Sequence, residues 1–99
     1  MRQYKYTLLK QDGTAETLGR ADEYDFEKIR KVLGCKYIEL IPATYHQEAW
    51  GRCIVYGDEE GRFNSDNKRN PFTKVLKGHP EYGEPSEWDC VGDLLLAQW

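Results

Sequence analysis

The sequence predicts a single small domain of the α+β class, in which a mostly antiparallel sheet of about five to six strands carries two helices on one face. Ninety-nine residues leave room for one domain. Most segments alternate apolar and polar residues, and short turn signals separate them as in hairpins. Helix signals occur in only two places, at about residues 25–33 and 71–77.

The chain begins with a predicted β-hairpin. In RQYKYTLLK, Tyr4, Tyr6 and Leu8 alternate with polar residues, as in a strand with one buried face. The Asp-Gly pair at residues 12–13 is a strong turn signal. Residues 14–19 are therefore predicted to return as a second strand.

The first predicted helix follows the hairpin. In ADEYDFEKIRKVLG, Phe26, Ile29 and Leu33 recur with the helical period, so one helix face is expected to pack on the sheet. Asp22 or Asp25 can cap the start of this helix. Gly34 can end it, because glycine readily adopts the left-handed conformation found just beyond a helix.

Further strands are predicted in the second half of the chain. KYIELIP resumes the strand pattern, which Pro42 ends. RCIVYGDEEGRFN, at residues 52–64, reads as strand, turn and strand with three acids at an exposed tip. ATYHQEAWGR, at residues 43–52, fits a loop or an irregular hairpin arm. WDCVGDLLLAQW predicts a final buried strand, although LLLAQ also fits a helix.

The second predicted helix starts in the segment RNPFTKVLKG. Asn70 is a good N-cap, Pro71 suits the first helical position, and Gly78 suits the position beyond the end. Lys74 and Lys77 would then lie in the last turns, where cations complement the helix dipole.

Positive charge is concentrated in one segment of an acidic chain. The net charge is −3, yet five of the fourteen lysines and arginines fall in residues 62–77. They are Arg62, Lys68, Arg69, Lys74 and Lys77, with Asp66 as the one acid among them. A general nucleic-acid binder usually carries positive charge over a whole face. The pattern therefore argues against general nucleic-acid binding and leaves a local anion site open.

The cysteines and the hydropathy indicate a compartment. Cys35, Cys53 and Cys90 are odd in number and show no CxxC spacing, which is typical of reduced thiols in a reducing compartment. No apolar signal segment follows Met1, and no run approaches the roughly 18 apolar residues of a membrane span. We therefore expect a cytoplasmic protein, not secreted, without a membrane partner.

Known catalytic and metal motifs are missing from the sequence. The DEEG segment with SDN nearby lacks the glycine of a calcium loop. His46, His79 and the cysteines do not fall at zinc spacings. Cys35 and a histidine could form a nucleophile–base pair only by tertiary convergence. We therefore expect no enzyme, no cofactor and no metal, with an uncharacterised thiol enzyme as the minor alternative.

Four ordered stretches, YIELIP, YGDEEGRF, RNPFT and DCVGDLLLA, resemble the small family catalogued as domain of unknown function 3846. That family occurs largely in phages, plasmids and bacterial genomes. The likeness covers about residues 24–99 and includes Asn70 and a D-x-x-G-D pattern at residues 89–93. Segments 42–52 and 78–88 look longer than the family pattern. The family has no established activity, so the resemblance implies origin and fold but no catalytic residue.

The basic segment supplies the predicted binding site. Backbone N–H groups at a helix start point at an anion, and Lys68 and Arg69 directly precede the predicted start at Asn70. Arginine suits phosphate, and an aromatic ring could stack on a base. The predicted ligand-binding residues are Lys68, Arg69, Asn70, Arg62 and Phe72. The sequence thus predicts a non-enzymatic accessory protein of a phage or other mobile element that sequesters a phosphorylated small molecule or nucleotide and so counters host defence.

Two other kinds of partner are compatible with the sequence. A protein–protein interaction module would meet a host protein through aromatics such as Tyr45, Trp50, Tyr82 and Trp88. An acidic DNA mimic would inhibit a host protein with its carboxylates. Ligand capture predicts an open basic pocket at residues 62–77, whereas a protein partner predicts a contiguous exposed apolar patch. An edge strand of the open sheet would also allow a homodimer.

Overall fold

A computed structural model describes residues 3–41, 43–44, 53–63, 65–74, 77–78 and 90–99. These residues form one antiparallel sheet of five strands, one α-helix, two 3₁₀ helices and a second, two-stranded sheet. The predicted α+β class is therefore confirmed. Within this part of the chain, no helix is long and apolar enough to cross a membrane.

The strands of the five-stranded sheet are β1 (Tyr4–Leu9), β2 (Ala15–Ala21), β3 (Ile38–Ile41), β5 (Cys53–Asp58) and β7 (Leu94–Gln98). Their order in the sheet is β2-β1-β7-β5-β3, and each neighbouring pair is antiparallel. In the second sheet, β4 (Ala43–Thr44) pairs with β6 (Lys77–Gly78). LLLAQ is thus a strand. It lies at the centre of the sheet, which explains its continuous apolar run, since both of its faces are buried.

The N-terminal hairpin forms as predicted. Its turn is closed by bonds from Lys10 N to Thr14 O, 2.8 Å, and from Gly13 N to Lys10 O, 3.0 Å. Gly13 has a φ of +93°, a conformation that glycine adopts without strain. The Asp12 carboxylate accepts bonds from the Thr14 hydroxyl, 2.6 Å, and the Thr14 N–H, 2.9 Å. These bonds hold the pKa of Asp12 below its usual value.

The α-helix, α1, spans Phe26–Leu33 and has the caps that the sequence predicts. The side chain of Asp25 accepts a bond from Lys28 N at 2.8 Å, so Asp25 is the N-cap. Gly34 ends the helix at a φ of +65°. Ile29 is the buried residue of α1 and anchors the helix to the sheet.

The sheet buries both of its faces, because alternate side chains of each strand point to opposite sides. We call the side covered by α1 the helix face and the other side the far face. The buried cluster of the helix face comprises Tyr6, Ile29, Tyr56, Leu95 and Ala97. The buried cluster of the far face comprises Leu9, Ile41, Cys53, Val55, Cys90, Leu94 and Leu96, with Phe72 packed against it.

The second helix differs from its prediction in type, length and position. It is a 3₁₀ helix at Pro71–Lys74, and the chain then enters β6, so Gly78 pairs in a sheet instead of ending a helix. Phe72 packs on the far face, opposite α1, and the two helical segments do not share one face. The physical reason is the apolar central strand β7, which needs cover on both sides.

The predicted strand after the acidic turn is also replaced by a 3₁₀ helix, at Gly61–Phe63. The turn itself forms, and Asp58 Oδ1 accepts a bond from Glu60 N at 2.9 Å. Gly61 then passes close to another part of the chain, since a Cβ there would lie 3.1 Å from Val91 O. This close approach diverts the backbone from the path of a hairpin arm.

Candidate functional site

The predicted anion-binding segment lies in a short β-like ladder. Arg69 forms an isolated antiparallel bridge with Val91. The hydrogen bonds of the ladder run from Asn70 N to Cys90 O, 2.8 Å, and from Gly92 N to Lys68 O, 2.9 Å. Lys68 N also donates to Gln11 Oε1 at 2.6 Å, which ties the segment to the N-terminal hairpin. The backbone of the basic segment is therefore held by long-range bonds.

Asn70 is fully buried and bonds three parts of the chain. Its Nδ2 donates to Leu9 O and to Gly92 O, both at 2.8 Å, and its Oδ1 accepts from Phe72 N at 2.9 Å. The last bond makes Asn70 the N-cap that the sequence predicts, now of a four-residue 3₁₀ helix. Because its amide is used within the protein, the structure places Asn70 in a structural role.

The other predicted ligand residues separate into two groups. Lys68 and Arg69 are neighbours at the surface, and both are exposed. Neither forms an ion pair within the described part of the chain. Phe72 is half-buried and packs on the far-face cluster, whereas Arg62 lies in the 3₁₀ helix Gly61–Phe63. The structure thus leaves Lys68 and Arg69 at the surface and turns Asn70 and Phe72 inwards.

We call the place where Asn70 bonds three parts of the chain the junction. Residues of the motifs that carried the family resemblance also form hydrogen bonds around it. Asn67 Nδ2 donates to Gly61 O at 2.9 Å, and Gln11 N donates to Asp93 Oδ1 at 2.9 Å. Gly92 has a φ of +82°, and a Cβ there would lie 3.2 Å from Asn67 Nδ2. Gly92 and Asp93 therefore serve the architecture of the domain.

Three exposed large apolar side chains lie beside α1 and β3, whereas a fourth, Phe63 at 86% exposure, lies in the 3₁₀ helix Gly61–Phe63. Phe26 is 64% exposed, Tyr37 56% and Leu40 61%. One groove of about 430 Å³ and a second of about 320 Å³ both have Phe26 and Leu40 in their walls. We call Phe26, Tyr37 and Leu40 the apolar patch. It fits the contiguous exposed surface expected for a protein partner.

Charges of opposite sign lie at the two ends of the apolar patch. The first groove is lined at its acidic end by Glu23 and Asp25, next to Tyr24 and Tyr56. The charged residues that line the second groove are Arg30, Lys36 and Glu59, so that two of its three charges are positive. Among the residues the structure describes, no ion pair involves Glu23, Arg30 or Lys36. The patch is therefore an apolar centre between an acidic end and a basic end.

The apolar patch adjoins an edge of the sheet. β3 is the terminal strand, with β5 on its inner side. Tyr37 O accepts a bond from Glu59 N at 3.1 Å, which directs the peptide groups of Tyr37 towards the neighbouring strand. By the alternation of an antiparallel ladder, the peptide groups of Ile38 and Leu40 then point outwards.

The opposite edge, β2, is built differently. The register shifts between Tyr6 and Thr7, leaving an extra residue in β2, which is a bulge. Gly19 in this region has a φ of +90°. Most of β2 is exposed and polar, with Glu16, Thr17 and Arg20 at the surface. Bulges and charges of this kind protect an edge from pairing, whereas β3 places Leu40 beside its outward peptide groups.

The Cys35 thiol lacks a property that a catalytic nucleophile needs. Cys35, Cys53 and Cys90 form no disulfide, as predicted. Burial raises the pKa of the Cys35 thiol, whereas a nucleophilic thiol needs a lowered pKa. His46 and His79 lie outside the described residues. Within those residues, no cluster of three or more His, Cys, Asp or Glu side chains could hold a metal ion.

Fold and site together define a class: a small antiparallel α+β domain with a charge-flanked apolar patch beside an edge strand. No family model matches the chain, and neither a curated protein nor a solved structure matches it. The resemblance to domain of unknown function 3846 therefore stays a prediction. The aromatics predicted to meet a protein partner, Tyr45, Trp50, Tyr82 and Trp88, lie outside the described residues. The apolar patch was missed because its members come from separate parts of the sequence.

Proposed function

We propose that this chain is a non-enzymatic protein-binding domain whose docking surface is the apolar patch. The observation that carries the proposal is that Phe26 and Leu40 are each more than half exposed and that both residues line both grooves. Clustered apolar side chains at a surface favour aggregation unless a partner covers them. Aromatic residues such as Phe26 and Tyr37 are also enriched at protein interfaces.

The flanking charges define the chemistry of the partner. An apolar side chain of the partner enters between Phe26 and Leu40, where it is removed from water. A basic group of the partner faces Glu23 and Asp25, and an acidic group faces the opposite end of the patch. The charges fix the orientation of the bound protein, while the apolar centre supplies most of the binding free energy.

The accessory role in a mobile element rests on the family resemblance. A small protein from such an element, without a catalytic motif, acts by occupying a host protein, and this would counter host defence. The apolar patch supports this role because it offers a surface for a protein.

Site-directed photo-crosslinking tests this proposal in cells. A photoreactive amino acid at Leu40 is expected to give a discrete adduct with a partner protein. The same group at Thr17, exposed on the opposite edge of the sheet, serves as the matched control and is expected to give none. The partner found in the adduct is then purified, and Leu40→Asp is expected to weaken its binding by about tenfold or more, because a carboxylate in an apolar interface is costly to desolvate.

Equal binding of the purified partner by the wild type and Leu40→Asp would reject the apolar patch as the docking surface. Identical adducts from positions 40 and 17 would also reject it, because crosslinking would then not depend on the apolar patch. Melting temperatures of both proteins check that the exposed substitution leaves the fold intact.

A second candidate is capture of a phosphorylated small molecule or nucleotide. It is favoured by the adjacent, exposed side chains of Lys68 and Arg69, which form no ion pair within the described residues. This candidate predicts that phosphate, a nucleotide or a cyclic dinucleotide raises the melting temperature of the wild type but not of Lys68→Ala/Arg69→Ala. At a hundred times Kd the gain is about 2.7 kcal/mol, or roughly 10 °C or more. No shift with any compound would reject it.

A further inference from the structure

We infer that, in the free protein, a second copy of this chain covers the apolar patch, so that the domain is an isologous homodimer until its partner protein displaces one copy. The inference rests on the proposed function, because it assigns an occupant to the same surface. Its basis is that the patch is complementary to itself in charge and that β3 is the terminal strand of the sheet in the described part of the chain.

The charge distribution is suited to a two-fold axis. In an isologous interface the same surface of both copies meets across a two-fold axis. Each contact between two different residues therefore occurs twice. The acidic end, with Glu23 and Asp25, lies at the start of α1. The basic end, with Arg30 and Lys36, lies at the last turn of the helix and beyond it. A two-fold axis through the patch therefore places each acidic end against the basic end of the other copy.

The helix presents suitable side chains to this axis. Phe26 and Arg30 are four residues apart, so they lie on the same side of α1, and both line the groove towards β3. A two-fold axis perpendicular to the sheet makes the two helices antiparallel. The Phe26 rings then lie near the axis, and each Arg30 lies towards Glu23 of the other copy.

The same axis brings the two β3 edges together. Outward peptide groups of Ile38 and Leu40 are the donors and acceptors that an added antiparallel strand needs. Pairing of the two edges places the Leu40 side chains of both copies on the helix face of the joined sheet. The five-stranded sheets would then join, and the apolar patch of each copy would be covered by the other.

The size of the interface implies a reversible dimer. A standard interface buries about 800 Å² per partner, and this chain exposes 6437 Å² in total. One side of an eight-residue helix and a four-residue strand form an interface at or below that standard size. We expect a dissociation constant of about 1 to 100 μM, which permits exchange for a partner protein.

Sedimentation of the purified full chain with paired charge reversals tests the inference. Glu23→Lys alone and Lys36→Glu alone are each expected to weaken self-association by about tenfold or more, since each places like charges opposite one another twice. An equimolar mixture of the two variants is expected to regain dimers. In the mixed dimer the introduced lysine faces the introduced glutamate, and the native Lys36 faces the native Glu23.

The matched control is Arg20→Glu, which reverses an exposed charge on β2 and is expected to leave self-association unchanged. A wild type that stays monomeric at about ten times the upper limit of the expected dissociation constant would overturn the inference. So would a mixture no more dimeric than its components, or a control as damaging as the variants. In these cases a purified partner that binds through Leu40 would still uphold the proposed function. A stable dimer whose Leu40 adducts contain only a second copy would reject the proposed partner protein instead.

Discussion

Replacing Asn70 with alanine is expected to lower the free energy of unfolding by about 3 kcal/mol or more. The substitution removes three hydrogen bonds and leaves Leu9 O, Gly92 O and Phe72 N without this partner in a buried region. Each orphaned buried group costs about 1 to 3 kcal/mol. Urea unfolding followed by circular dichroism measures the change, and the melting temperature is expected to fall by about 15 °C.

Two further variants separate hydrogen bonding from side-chain loss. Asn67→Ala is the matched control, because Asn67 is half-buried and donates one bond, to Gly61 O, so the expected cost is about 1 kcal/mol. Asn70→Asp keeps an acceptor for Phe72 N but turns a carboxylate oxygen towards two carbonyl oxygens. It is expected to be as damaging as Asn70→Ala at neutral pH and to recover in part at acidic pH. Equal, small losses for the two alanine variants would show that Asn70 does not tie the junction.

The parts of the fold that the sequence predicts depend on neighbouring residues. The hairpin turn requires Asp12 and Gly13, and the ends of α1 require Asp25 and Gly34, each acting within a few positions of the chain. Pro42, which has no N–H to donate to a strand ladder, directly follows the last residue of β3 in the sequence, so this signal is also local. Such signals are legible because the interaction and the residues that make it are adjacent in sequence.

The second helix and the hairpin after the acidic turn depend on distant residues. β6 forms because Lys77–Gly78 pairs with Ala43–Thr44, more than thirty positions earlier. The chain enters a 3₁₀ helix at Gly61, where the backbone passes close to Val91 O. Local capping signals correctly identify Asn70 as an N-cap, but they cannot show that its amide also binds Leu9 O across the fold.

The apolar patch is hidden from the sequence for a topological reason. Phe26 has the spacing of a core residue in α1, and Leu40 has the composition of a buried strand. Their exposure follows from the position of β3 at the end of the strand order, where α1 leaves the outer side of the strand uncovered. The clustered positive charge of Lys68 and Arg69 is visible in sequence, whereas the order of strands is not.

Raising the pH above about 10 is expected to destabilise the protein through Tyr56. Burial, with smaller effects from the charges of Tyr6 and Glu23, raises the pKa of Tyr56 to about 12. In the unfolded chain a tyrosine ionises near pH 10, so between these two values the unfolded state binds fewer protons and stability falls as the pH rises. The contribution is fully present below about pH 10 and amounts to about 3 kcal/mol at most, since each pH unit between the two pKa values is equivalent to about 1.4 kcal/mol.

Tyr56→Phe is the matched variant, since it keeps the ring in the helix-face cluster and removes the ionisable group. The two proteins are expected to unfold at similar urea concentrations near pH 8, while the wild type loses more stability as the pH approaches 11 or so. Parallel losses in both proteins would assign the alkaline instability to other groups, such as Tyr6, whose pKa burial also raises.

Tyr56 lines the first groove beside the apolar patch, so a protein covering that groove would shield it further from water. Because further burial raises the pKa of Tyr56 more, the alkaline loss of the wild type should increase when the patch is occupied, and Tyr56→Phe should show no such dependence on occupancy.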